Sequence, residues 1–145
     1  MTEQNIYDDL LGKLENRPDT DSWEGEWKVN DNLVVDVIVC AETDIKTELK
    51  TAKDFLLKFI ENERQTREHL SKSLIKLCNE DWNAEKPLTE KEFSERISLQ
   101  GINIYFKDKV ADAEIFYNDD DIFGEHAISF FMKSNGEISE PNLAG

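Results

Sequence analysis

From Trp23 onward the spacing of apolar residues changes period twice, from strand to helix and back to strand, and those two changes set the order of the chain's layers. Trp23, Gly25, Trp27 and Val29 alternate with polar residues, the mark of a strand with one buried face. Residues 33–40 are nearly continuous aliphatic with Asp36 inside them, as in a strand central to a sheet. Ile45, Leu49, Ala52, Leu56, Phe59 and Ile60 then recur at helical spacing behind a cap at Thr43 or Asp44. The stripe lapses over residues 61–68 and resumes at Leu70, Leu74, Leu77 and Cys78. That pattern predicts two helices, or one long helix with a solvated waist.

Residues 79–86 contain Trp82, and Pro87 ends that segment. Thr89 and Glu92 form a capping box, with Leu88 and Phe93 as its hydrophobic staple, so a short helix runs to about Ile97. Period two then returns. Ile102, Ile104 and Phe106 share one face of a strand; Ala111, Ala113, Ile115 and Tyr117 share one face of the next. An apolar run covers 127–132, and Asn30-Asp31-Asn32, Asp108-Lys109 and Asn135-Gly136 read as turns. The expected fold is α+β, a single antiparallel sheet of about five strands with a helical layer on one face. In residues 3–15, Ile6, Leu10 and Leu14 lie four apart beside Tyr7 and Leu11, which predicts a short amphipathic helix. The expected organisation is an N-terminal helix and linker over 1–22, then one α+β domain over 23–145.

At 145 residues the chain has the length of one domain with one substantial core. It carries 32 acidic and 17 basic side chains, net -15, which disfavours nucleic acid and anionic membrane surfaces as partners. The acid is unevenly placed. Residues 44–96 hold 12 acidic and 11 basic side chains, an ordinary solvated helix surface. Between Asp112 and Glu125 there are six carboxylates and no Lys or Arg, which predicts an acidic face in the β-rich part. No apolar run approaches the roughly 20 residues of a membrane span. The start, Met1-Thr2-Glu3-Gln4, carries neither a basic region nor an apolar core, so the expected location is cytoplasmic. Cys40 and Cys78 are widely spaced and read as free thiols.

The densest chemistry is Tyr117-Asn118-Asp119-Asp120-Asp121-Ile122-Phe123-Gly124-Glu125-His126. Three adjacent carboxylates repel one another and must be kept wet or neutralised. Asn118, Asp119, Asp121 and Glu125 offer hard oxygen ligands for a divalent cation, but their spacing is not that of an EF-hand. The only other histidine, His69, lies far off on a helix, and no Cys-x-x-Cys exists, so no zinc site is expected. No Gly-x-Ser-x-Gly elbow and no Gly-rich phosphate loop is present. His126 reads as a residue that fixes the hairpin through a loop carboxylate or carbonyl.

The C-terminal part resembles a group of uncharacterised bacterial domains. They share a pattern Tyr-x-Asp-x-Asp-hydrophobic-Phe, then His-hydrophobic, a turn glycine and a terminal Ala-Gly. Here these are Tyr117, Asp119, Asp121, Ile122, Phe123, His126, Ala127, Ile128, Gly136, Ala144 and Gly145. Trp23 and Trp27, the 33–39 strand, and helices ending near Trp82 and Phe93 follow in the same order, so the likeness spans roughly residues 20–145. It implies an immunity protein of a bacterial toxin system, with no catalytic residues. The resulting expectation is a non-enzymatic acidic domain that binds a basic protein such as a toxin, without cofactor or metal; the alternatives are a divalent-cation-binding domain that uses the acidic hairpin loop, or a protein whose acidity serves solubility only. Its partner-binding residues would be Asp112, Glu114, Asp119, Asp120, Asp121, Glu125 and His126.

Overall fold

A computed structural model describes residues 5–17, 22–82, 85–124 and 126–144. Glu125 and Gly145, and most of the linker expected before residue 22, lie outside them. The fold is α+β. Among the described residues eight strands form one sheet, in sequence order: β1 (Asn5–Asp8), β2 (Gly12–Arg17), β3 (Ser22–Asn30), β4 (Leu33–Cys40), β5 (Ser98–Lys107), β6 (Val110–Asn118), β7 (Ala127–Met132) and β8 (Asn142–Ala144). Between β4 and β5 lie α1 (Ile45–Glu61), α2 (Glu63–Leu77), a π-helical turn (Cys78–Trp82) and α3 (Glu90–Arg96).

The sheet departs from the expected one in three ways. It has eight strands rather than about five. It is not wholly antiparallel: β4 and β5 are parallel neighbours, with Val37 beside Ile102 and Val39 beside Ile104. A helical crossover returns the chain to the end where β4 began, so the next strand must run the same way. Third, the described part of the helix expected over residues 3–15, from residue 5 onward, is not helical. Residues 5–17 form the β1–β2 hairpin, in which Ile6 and Leu14 are cross-strand partners rather than turns of one helix. Leu10 and Leu11 sit in the hairpin loop, and Gly12 takes a φ of 66° where the loop rejoins the strand. The hairpin pairs with β3 and belongs to the same sheet.

The Asp8 carboxylate fixes that loop. It accepts from the backbone N–H groups of Leu10 (2.8 Å) and Leu11 (3.0 Å), and Lys53 Nζ of α1 lies 2.9 Å away. Burial pushes the Asp8 pKa up, but the Lys53 bond, the two backbone bonds and the Lys53 charge outweigh it and hold it below the usual carboxylate value. Leu11 and Leu14 are then driven into the core. They need Gly25: a Cβ there would stand 2.6 Å from Leu14 Cδ2 and 3.1 Å from the Leu11 carbonyl oxygen.

One face of the sheet is covered. Trp23, Trp27, Val35, Val37, Val39, Ile102, Ile104, Ala113, Ile115 and Phe130 form its buried side. Leu49, Ala52, Leu56 and Phe59 of α1, Leu70 and Leu74 of α2, and Phe93 of α3 complete the same core. Asp44 caps α1 by accepting from Lys46 N–H. The stripe's lapse becomes a break at Asn62, which separates α1 from α2. The capping box forms as read: Thr89 Oγ1 accepts from Glu92 N–H (3.1 Å), and Glu92 Oε1 accepts from Thr89 N–H (3.0 Å). Tyr117 is fully buried and donates its hydroxyl to Glu63 Oε2 of α2 at 2.7 Å. Arg67 Nε lies 2.9 Å from the same oxygen, near enough for an ion pair though its N–H is not aimed for a hydrogen bond. Cys40 and Cys78 are not joined in a disulfide; Cys78 is buried, and burial pushes its pKa up against the opposing charge of Arg96.

Candidate functional site

The acidic loop between β6 and β7 gives each aspartate a different task. Asp119 is 4% exposed. Its Oδ1 accepts from Asp121 N–H (3.1 Å) and its Oδ2 from Phe123 N–H (2.9 Å), bonds of the strong charge-assisted kind. Asp120 and Asp121 occupy the left-handed region, with φ of 50° and 63°, inside a turn closed by Ile122 N–H donating to the Asp119 carbonyl (3.0 Å). Aspartate tolerates that region better than most residues. Asp120 faces α3, where Arg96 Nε lies 2.9 Å from its Oδ2 and Arg96 Nη2 donates to its carbonyl at 2.8 Å. Asp121 is exposed. One carboxylate turns inward, one is paired and one is wet, which relieves the repulsion of three in a row.

The rest of the loop plugs the core. Phe123 is fully buried, edge-on to Trp82 (5.8 Å between ring centres) and Phe93 (6.0 Å). His126 donates from Nδ1 to the Phe123 carbonyl at 2.6 Å and packs edge-on to Trp82. Among the described residues no three His, Cys, Asp or Glu side chains converge as a metal site.

Asp112 and Glu114 are elsewhere. They stand on β6 opposite the buried Ala111, Ala113 and Ile115, on the face of the sheet that the helices leave open. Seven residues separate Asp112 from Asp119 along an extended chain, about 23 Å. The structure therefore does not gather the sequence-predicted residues into one patch: Asp112 and Glu114 share the open face, while Asp119, Asp120, Asp121 and His126 belong to the loop at the far end of β6.

Sequence reasoning passed over the neighbours that the register gives this face. Glu26 is the cross-strand partner of Asp36, Asn103 of Glu114, and Tyr105 of Asp112. Like charges directly opposite one another destabilise a sheet. Yet neither Glu26 nor Asp36 has a hydrogen-bond or ion-pair partner among the described residues, whereas Arg17 pairs with Glu24 one step away. Aromatic side chains interleave with the acids: Tyr105 is 39% exposed, Phe131 is 52% exposed, and Phe116 is half-buried. A bulge between Leu99 and Gly101 leaves a hollow of about 210 Å³ bounded by Asp36, Gly101, Phe116 and Ala127. Asp36 alone was visible in the sequence as an odd charge within an apolar strand.

One protein family, described as an uncharacterized protein conserved in bacteria (DUF2262), matches residues 8–143. The chain belongs to DUF2262. The match begins at Asp8, the residue that locks the first hairpin, and ends within β8, so DUF2262 takes in both the acidic loop and the open face. No curated protein and no solved structure matches the chain. Among the described residues of this DUF2262 member, no helix is long and apolar enough to cross a membrane.

Proposed function

We propose that this DUF2262 protein is a non-enzymatic docking domain that neutralises a basic protein by laying the open face of its sheet against it. A toxin is the partner that the resemblance implies, and the role would be that of an immunity protein. The observation that carries this reading is the Glu26–Asp36 pair, two opposed carboxylates with no ion-pair partner among the described residues, beside a hollow walled by the half-buried Phe116 ring. Such a pair costs stability until something cationic meets it. Aromatic residues around a charged centre supply contact area at low entropic cost. The hollow beside Asp36 suits a lysine or arginine side chain, its charge toward the carboxylate and its stem against the Phe116 ring. A net charge of -15 steers basic partners over distance and makes association salt-sensitive.

The test is capture from native bacterial lysate on the immobilised protein, at low and at physiological salt. Wild type should retain a basic protein that Glu26→Gln/Asp36→Asn loses. Equal retention by wild type and variant refutes the open face as the docking surface. The alternative is a divalent cation held by the acidic loop, where each oxygen of Asp119 already accepts one backbone N–H.

A further inference from the structure

A cleft of about 350 Å³ opens where α1 meets α2, under the turn that follows β7. Its walls are apolar: Phe59 and Met132 are buried, and Phe55 is half-buried. Two cations, Lys58 and Lys133, stand exposed at its rim, with the exposed His69 beside them. Among the described residues no Asp or Glu lines it, in a chain with 32 of them. Other hollows mix the two signs: the groove between α2 and α3 sets Glu68, Glu90 and Glu95 among four basic side chains, and the one beside β2 and β3 sets four carboxylates beside Lys13 and Arg17. The size lies within the range of small-molecule sites, which are mostly apolar with a few charged groups that orient the ligand.

We propose that this cleft binds a small organic anion, with its apolar body between Phe55, Phe59 and Met132 and its charge between Lys58 and Lys133. Lys58 has no ion-pair partner among the described residues, and Lys133 reaches only the exposed Glu137 at 3.9 Å. An exposed pair of that length is weak and easily exchanged for a ligand's anion. The site is independent of the open face, on a different part of the sheet and of opposite charge.

The test is a titration of the isotope-labelled full chain, followed by amide NMR, with naphthalene-2-sulfonate and separately with its neutral counterpart naphthalene-2-methanol. The expected result is saturable movement of amides around Lys58, His69 and Lys133, with the sulfonate at least about tenfold tighter than the alcohol. Lys58→Gln/Lys133→Gln should remove that tenfold preference and leave the alcohol's affinity unchanged, while the spectrum reports that the variant is folded. Equal affinity for the two compounds, a preference that survives the double variant, or no movement of these amides at millimolar probe overturns the proposal.

Discussion

The loop after β6 and the open face of the sheet hold the same kind of residue in opposite states. In the loop, Asp119 is buried under two backbone N–H groups and Asp120 is held by Arg96. On the open face, Glu26 and Asp36 oppose each other with no internal partner among the described residues. Committed carboxylates stabilise the chain that carries them. Uncommitted ones cost it something and remain available to another molecule. Density of acid in the sequence therefore marked a place where acid builds structure, and the docking surface proposed above lies elsewhere on the sheet.

That contrast can be broken most sharply at Asp119. Asp119→Ala strands the buried Phe123 N–H and the part-buried Asp121 N–H and should lower stability by about 2 kcal/mol in urea denaturation; a loss within error would mean that the loop is not held by this side chain. Asp8→Ala should come next, at a similar cost of about 2 kcal/mol, for the loss of its hairpin bonds and Lys53. Asp8 also sets a pH dependence. Its folded pKa lies below the ordinary 3.8, so its contribution is complete above that value and is lost as pH falls through the folded pKa. Urea midpoints of Asp8→Asn should accordingly fall less steeply than those of wild type in that acid range. Tyr117→Phe removes the hydroxyl bond to Glu63 and should cost about 1 kcal/mol. Burial beside Glu63 pushes the Tyr117 pKa up, so no ultraviolet signal of its ionisation is expected while the protein stays folded.

The smallest effect should have the opposite sign. Glu26→Gln/Asp36→Asn relieves a like-charge pair and should leave stability unchanged or raise it by about 0.5 kcal/mol. A loss of several kcal/mol in thermal or urea unfolding would mean that these two residues are committed to the fold after all.

The helical layer was legible because its signals are local. Helical spacing from Ile45 to Ile60, and the Thr89–Glu92 box, depend only on residues a turn or so apart. The β5–β6 alternation was equally plain, since Ala111, Ala113, Ile115 and Tyr117 all face the core. The first hairpin was misread because Ile6, Leu10 and Leu14 satisfy helical spacing by accident; the competing signal was Gly12, four residues after a turn-forming Asp8. The parallel β4–β5 pair was deducible from the helices between them. The open face was not, because Glu26 and Asp36 become neighbours only through strand register, which the turn and a bulge between Lys28 and Asn30 decide together.

The most direct measurement is a calorimetric comparison of two charge-matched variants against the captured basic partner. Glu26→Gln/Asp36→Asn and Asp120→Asn/Asp121→Asn each remove two carboxylates and bring the net charge from -15 to -13. If the open face is the docking surface, the first variant loses at least about tenfold in affinity and the second stays close to wild type. Equal losses would mean that the partner senses only overall charge, and a loss confined to the second would return the binding role to the loop.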